Sequence, residues 1–188
     1  MTYLASSRNF FIVSGGPGSG KTTLLSHLQS AGAATAPEAG RAIIRAQTAI
    51  GGPARPDHDP ALYAELMLSW DLRSYEEASS HPGNVFFDRG VPDTLGYLRL
   101  VGQAIPSHMW RAAEAFRYNE AVFMLPPWPE IYAPDTERKQ TLDDAERTFE
   151  ALRQIYLELD YRPVLLPRSS VEERVKSMLA AIDDHMNE

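Results

Sequence analysis

The chain contains no cysteine. Disulfides, thiolate metal sites and thiol nucleophiles are therefore excluded together. A basic excess is also missing: 18 lysines and arginines stand against 25 aspartates and glutamates, for a net charge of -7. General nucleic-acid binders draw most of their affinity from neutralising phosphates, so no polynucleotide partner is expected. No apolar run approaches the ~18 residues that a membrane span needs. The first eight residues lack the long apolar stretch of a secretory signal. A soluble, cytoplasmic protein is the expectation. No repeat, low-complexity tract or Pro/Gly/Ser-rich linker divides the 188 residues, so 1–188 reads as one domain.

What is present alternates short apolar runs with longer amphipathic segments, the signature of an α/β fold. Strands are predicted at 10–14, 33–36, 84–88, 121–125 and 164–166. Between them lie helical segments at 20–30, 38–49, 59–79, 92–101, 106–118 and 141–161, with a last helix opened by Ser170 and Glu173. In 38–49 the expected inward residues are Ala42, Ile43 and Ala46. Asp59-Pro60 is a helix start, and His81-Pro82-Gly83 a stop. Five strands with helical crossovers give an open parallel sheet, and ligands of such sheets sit beyond the carboxyl ends of the strands.

Gly15-Gly16-Pro17-Gly18-Ser19-Gly20-Lys21-Thr22 fits G-x-x-x-x-G-K-[ST] and lies between a predicted strand and a predicted helix. Glycines let successive backbone N–H groups turn inward onto phosphate oxygens, and the helix start adds its positive dipole end. Lys21 brings a full charge to the β- and γ-phosphates, and the Thr22 hydroxyl is placed as a Mg²⁺ ligand. With Thr23, these residues are the candidate ATP site.

The third strand, Asn84-Val85-Phe86-Phe87-Asp88, is apolar and ends in a carboxylate, which makes Asp88 the second candidate Mg²⁺ ligand. Arg89 follows it. A cation beside the metal carboxylate suits charge stabilisation during phosphoryl transfer, whereas a glutamate there would suit water activation. Glu38 ends the second strand, where a carboxylate can accept or orient the proton of an attacking hydroxyl. Arg41 lies one helical turn on. Arg73, Trp70 and Tyr63 lie on the long helix 59–79, where spacing allows either the acceptor cleft or the core. The irregular stretch 126–147 reads as a lid, with Arg138 as its first candidate cation and Lys139 and Arg147 behind it. Trp128 and Tyr132 read as lid packing. Asp93-Thr94-Leu95-Gly96 matches D-x-x-G, but it does not directly follow a strand. No N-K-x-D partner exists, so the match reads as chance within a helix. Asp57-His58-Asp59 reads as a loop with a helix cap.

Four segments together resemble one family: residues 14–22, 37–44 (Pro-Glu-Ala-Gly-Arg-Ala-Ile-Ile), 85–90 (Val-Phe-Phe-Asp-Arg-Gly) and 125–132 (Leu-Pro-Pro-Trp-Pro-Glu-Ile-Tyr). The chain looks like a bacterial family of small predicted AAA-domain ATPases. That family is similar to the ribosylnicotinamide kinase domain of the bacterial NAD regulator. The resemblance extends to Ser170-Val171-Glu172-Glu173-Arg174. It implies a three-layer P-loop NTPase fold, kinase-like, with a five-stranded parallel sheet in the order 2-3-1-4-5. The function it favours is a small-molecule kinase using ATP and Mg²⁺. Lys21, Glu38, Asp88, Arg89 and Arg138 would be catalytic, and the acceptor would lie between Glu38, Arg41, Arg73 and Arg89. The other reading is a nucleotide-dependent switch, or a slow ATPase or GTPase, acting on a protein or lipid partner. Neither the acceptor nor the oligomeric state has a local signature.

Overall fold

The computed structural model describes residues 7–131 and 141–186. Five strands, β1 (Phe10–Gly15), β2 (Ala34–Ala36), β3 (Val85–Asp88), β4 (Ala121–Leu125) and β5 (Arg162–Leu165), form one sheet. All pairings are parallel, and the order is β2-β3-β1-β4-β5. The crossovers carry α1 (Lys21–Ser30), α2 (Ala39–Ile50), α3 (Pro60–Ala78), α4 (Val91–Leu100), α5 (Ser107–Ala115) and α6 (Leu142–Glu158), and α7 (Val171–Met186) follows β5.

Ser14 apart, the buried positions of the central strands are apolar, because both faces of the sheet are covered. Alternation decides which helix layer each residue meets. Phe10, Ile12, Val85, Phe87, Val122 and Met124 face the layer holding α3, α4, α5 and α6. Phe11, Val13, Phe86, Phe123 and Leu125 face α1 and α7. Burying one such side chain is worth about 1.5–3 kcal/mol, so a one-residue slip of β1 would forfeit several contacts at once. A third, smaller cluster of Ala39, Ile43 and Tyr63 joins α2 to α3.

Two helix ends and one helix face depart most from the sequence expectation. The segment 106–118 is helical only to Ala115, because Asn119 donates its backbone N–H to Phe10 O at 2.8 Å and draws the chain into the sheet. The segment 141–161 ends at Glu158, where Asp160 takes a left-handed φ of 57°. In α2 the inward stripe follows Ala39 and Ile43, and Ala46 is exposed. The i, i+4 rows of α2 meet α3, and Gln47 accepts the backbone N–H of Ala54 at 3.2 Å. No helix of the described residues is long and apolar enough to cross a membrane.

Register is what brings the site together. Val13 pairs with Asp88 and Ala36 with Phe87. The next residues, the phosphate loop after β1, Glu38 after β2 and Arg89 after β3, emerge side by side at one end of the sheet.

Candidate active site

The phosphate loop turns between β1 and α1. Ser19 Oγ donates to Gly16 O at 2.9 Å and closes the turn. Gly20, at the helix N-cap, has φ 81°, and a Cβ there would come within 2.8 Å of the Arg174 guanidinium. A Cβ on Gly16 would come within 2.6 Å of Ala145 O. Neither position has room for a side chain, as a backbone phosphate cradle requires. The loop opens into a cavity of about 770 Å³ that Lys21, Thr22, Thr23 and Arg41 also line.

Lys21 is buried and its ammonium pairs with the Asp88 carboxylate. Asp88, paired with Lys21, is not among the residues that line this cavity. The Thr22 hydroxyl and the Asp88 carboxylate are hard oxygen donors of the kind Mg²⁺ takes.

Arg89 is the hub. Its backbone adopts φ 72°, a left-handed conformation costly for a residue with a side chain and concentrated at functional sites. Its N–H extends the ladder to Val13 O at 3.1 Å. The guanidinium donates to Gly15 O at 2.9 Å and to Asp93 Oδ1 at 3.0 Å, and lies 3.5 Å from Glu38. Burial opposes its charge, but Asp93, Glu38 and Asp88 outweigh that, and the group is held more firmly protonated than a free arginine.

Asp93 was dismissed in the sequence as part of a chance match. It is a buried carboxylate with four donors: Ser14 Oγ at 2.6 Å, Arg89 at 3.0 Å, Gly90 N–H at 3.1 Å and the Tyr156 hydroxyl. It thereby ties β1, the Arg89 turn and α6 together. Asp93→Ala is expected to cost at least about 3 kcal/mol, because Arg89 keeps its charge and loses its deepest partner. Urea unfolding checks this, and a loss under about 1 kcal/mol would remove Asp93 from that role.

A second cavity of about 550 Å³ lies between α2, α3, α4 and α6. Tyr63, Met67 and Asp71 reach it from one face of α3, four residues apart, and Thr94 and Tyr97 reach it from α4. Thr94 Oγ1 donates to Asp71 at 3.2 Å. Burial, then the neighbouring Asp93, push the Asp71 carboxyl up to about 8; Glu38 adds to this, against Thr94 and Arg89. The unfolded chain releases this proton near 4, so the folded state binds it more tightly. Asp71 therefore subtracts stability progressively as pH rises from about 4 to about 8.

The sequence candidates divide accordingly. Glu38 and Arg89 meet, as expected, and Glu38 is the N-cap of α2 without capping it through its side chain. Arg41, 3.8 Å from Glu38, opens on the phosphate-loop cavity and not on the second one, which takes Gly40, Ile44 and Thr48 from α2. Arg73 is a correction: it is 79% exposed, pairs with Glu77 and lines neither cavity. Two residues past Asp71 on a helix, it points about 200° away. Trp70 is likewise exposed, whereas Tyr63 is buried. Arg147 is exposed and pairs with Asp144. Arg138, Lys139 and Tyr132 lie outside the described residues.

Asp71 carries no sequence reading, Asp93 enters the sequence only through the D-x-x-G string, and Arg174 only as the end of the resembling segment 170–174. Arg174, on α7, approaches Ser19 O and Gly20 O at 3.5 Å and lies over the Trp128 ring at 5.5 Å. It carries no local motif. For Asp71 a faint signal exists, an acid continuing the Tyr63-Met67 spacing.

Residues 10–174 match the model of a family described as an AAA domain. Among solved structures, thymidylate kinase from Ehrlichia chaffeensis superposes with a TM-score of 0.60. The match covers 96% of this chain and 99% of that one, at 15% sequence identity. At that identity the likeness is one of fold, a kinase-like P-loop architecture. No curated protein matches the chain.

Proposed function

We propose, from the premise that the chain belongs to this AAA-domain family, that it is a small-molecule kinase. It would move the γ-phosphoryl group of ATP to a nucleoside, nucleotide or similar metabolite. One observation carries the reading: the phosphate-loop cavity and the second cavity share Pro17, Glu38 and Arg89. A nucleotide switch needs the first cavity only. Two cavities meeting at a carboxylate and a guanidinium are what a two-substrate transfer requires, since the acceptor oxygen and the γ-phosphorus must come to within about 3–3.5 Å.

The loop from Gly15 to Thr23 would hold the triphosphate through backbone N–H groups, the α1 N-terminus and Lys21. Thr22 and Asp88 would hold Mg²⁺, which supplies charge neutralisation at the β- and γ-phosphates when bound. For Asp88 to do so, Lys21 has to leave it for the phosphates, exchanging one anion for another. Glu38 would hold the acceptor hydroxyl and take its proton, and Arg89 beside it would stabilise charge on the moving group. The segment 126–147 is the proposed lid, with Arg138 as its cation.

The test is ADP release across a panel of nucleosides, nucleotides and ribosylated vitamins. At least one acceptor should raise turnover well above the ATP-only rate. If none does, the switch or slow-NTPase reading takes the kinase's place. With an acceptor in hand, Glu38→Gln is expected to lower kcat by about 10²–10⁴-fold, the usual range for a general base. ATP affinity should stay unchanged. Lost ATP affinity would move Glu38 to the nucleotide side of the junction.

A further inference from the structure

The second cavity has a chemical character of its own, and it bears on which acceptors fit. Most of its wall is apolar or aromatic. Tyr63 meets Tyr97 edge to face, with centroids 5.2 Å apart, and Met67, Ile44 and Leu152 continue the surface. Its charged groups are four carboxyls, Glu38, Asp57, Asp71 and Asp93, and two guanidiniums, Arg55 and Arg89. Both cations already face carboxylates. Arg55 approaches the exposed Asp57 at 3.5 Å without a hydrogen bond from its buried Nε, and Arg89 is held by Glu38, Asp93 and Gly15 O. Arg41 and Arg73, the cations expected here from the sequence, are not on this wall. With Asp71 protonated at neutral pH, three carboxylates still face two cations, so an acceptor phosphate would add to a negative excess.

Asp71 stands apart among the carboxyls. Its carboxyl accepts from Thr94 Oγ1, and it lies on the same α3 face as Tyr63 and Met67. The function proposed above has no use for it. A polar group placed in a mostly apolar pocket is the usual means of fixing a ligand's orientation.

We infer that Asp71, braced by Thr94, is the acceptor-recognition residue of this cavity, binding a hydroxyl or amine that the acceptor donates and disfavouring acceptors that carry a phosphate. The inference rests on the kinase reading, because it takes that cavity as the acceptor's seat. The electrostatics agree with it. The surroundings that make Asp71 retain its proton to about 8, namely burial, Asp93 and Glu38, set against Arg89 and Thr94, also oppose a further anion. At neutral pH the group is a neutral acid, with a carbonyl oxygen to accept and a hydroxyl to donate.

The experiment uses the full chain with Mg·ATP and matched pairs of probes: thymidine and its monophosphate, uridine and its monophosphate, adenosine and its monophosphate. Stimulated ADP release is expected from an unphosphorylated member and not from its monophosphate. Preference for a monophosphate overturns the inference and leaves the kinase standing. Stimulation by no probe overturns both. With the accepted probe, Asp71→Leu should raise its KM by about tenfold or more, the weight of a lost buried hydrogen bond. The KM for ATP should not move. Asp71→Asn, which mimics the neutral acid, should restore most of the loss at pH 7. An unchanged probe KM in Asp71→Leu overturns the assignment, and so does an equal loss in the asparagine variant. Should the leucine variant fail to fold, Thr94→Val reads the same contact. Its probe KM should rise by at least about threefold, and no rise overturns the assignment.

Discussion

Arg89→Ala is expected to lower phosphoryl transfer by about 10³-fold or more, the range seen when a transition-state arginine is removed. The local structure indicates why the effect should be large. Arg89 is held at a left-handed φ, and three separate groups fix its guanidinium at the junction of the two cavities. A cation so constrained costs no reorganisation when charge moves past it. Arg89→Lys should recover little, since an ammonium cannot reach Gly15 O, Asp93 and Glu38 together. Arg89→Ala should also be less stable by about 3 kcal/mol, because Asp93 is left as a buried anion without its cation. Steady-state kinetics with an accepted probe, read beside urea unfolding of the same samples, separates the two effects. If Arg89→Ala transfers phosphate within about tenfold of the parent at full folding, Arg89 is an architectural cation and not the charge stabiliser.

The second large effect is at Lys21. Lys21→Met keeps the buried aliphatic volume and removes the charge. It should lower transfer by about 10²–10³-fold, as expected when one donor to developing charge is lost. It should also weaken ATP binding, measured by calorimetry. The pair with Asp88 adds a test that a surface lysine would not pass. Lys21 and Asp88 are both largely enclosed, at 8% and 15% exposure. Removing one partner strands the other, whereas replacing both is close to neutral. Lys21→Met alone should therefore destabilise the ligand-free protein. Lys21→Met combined with Asp88→Asn should regain most of that stability, and transfer should stay lost. A double variant no more stable than the single one would mean that the pair is not a structural element of the ligand-free state.

The phosphate loop could be read from the sequence because its chemistry is local. Eight consecutive residues supply the turn, the N–H groups and the lysine, and no distant contact is needed to recognise them. The strands could be read for a related reason: a sheet covered on both faces demands runs as apolar as Phe10–Val13 and Ala121–Leu125, whatever packs on them. Asp88, Arg89 and Glu38 needed one further step, the rule that parallel strands present their ligands at their carboxyl ends. The β2-β3-β1 register fulfils it.

The D-x-x-G string does lie within a helix, and the role of Asp93 is invisible in it because its partners are Ser14, Arg89 and Tyr156, which are 79, 4 and 63 residues away. A D-x-x-G string carries none of that. Arg73 was misplaced and Asp71 overlooked for one geometric reason. Both are polar residues on the same helix, and only the rotation of α3 against α4 decides which of two sides faces the cavity. Arg41 was assigned to the acceptor because it follows Glu38 by one turn. Where that turn points depends on how α2 lies against α3, which Ala39, Ile43 and Tyr63 set.

The linear order of residues is enough to specify a phosphate loop between β1 and α1 and a carboxylate followed by an arginine at the end of β3. Each is a matter of adjacent residues and of strand direction. Only packing places a second cavity beside the cradle, locks Arg89 with Asp93, and turns Asp71 rather than Arg73 toward that cavity. Those outcomes depend on helix rotation and on contacts between residues far apart in the chain, which are set when the two faces of the sheet bury their apolar surface.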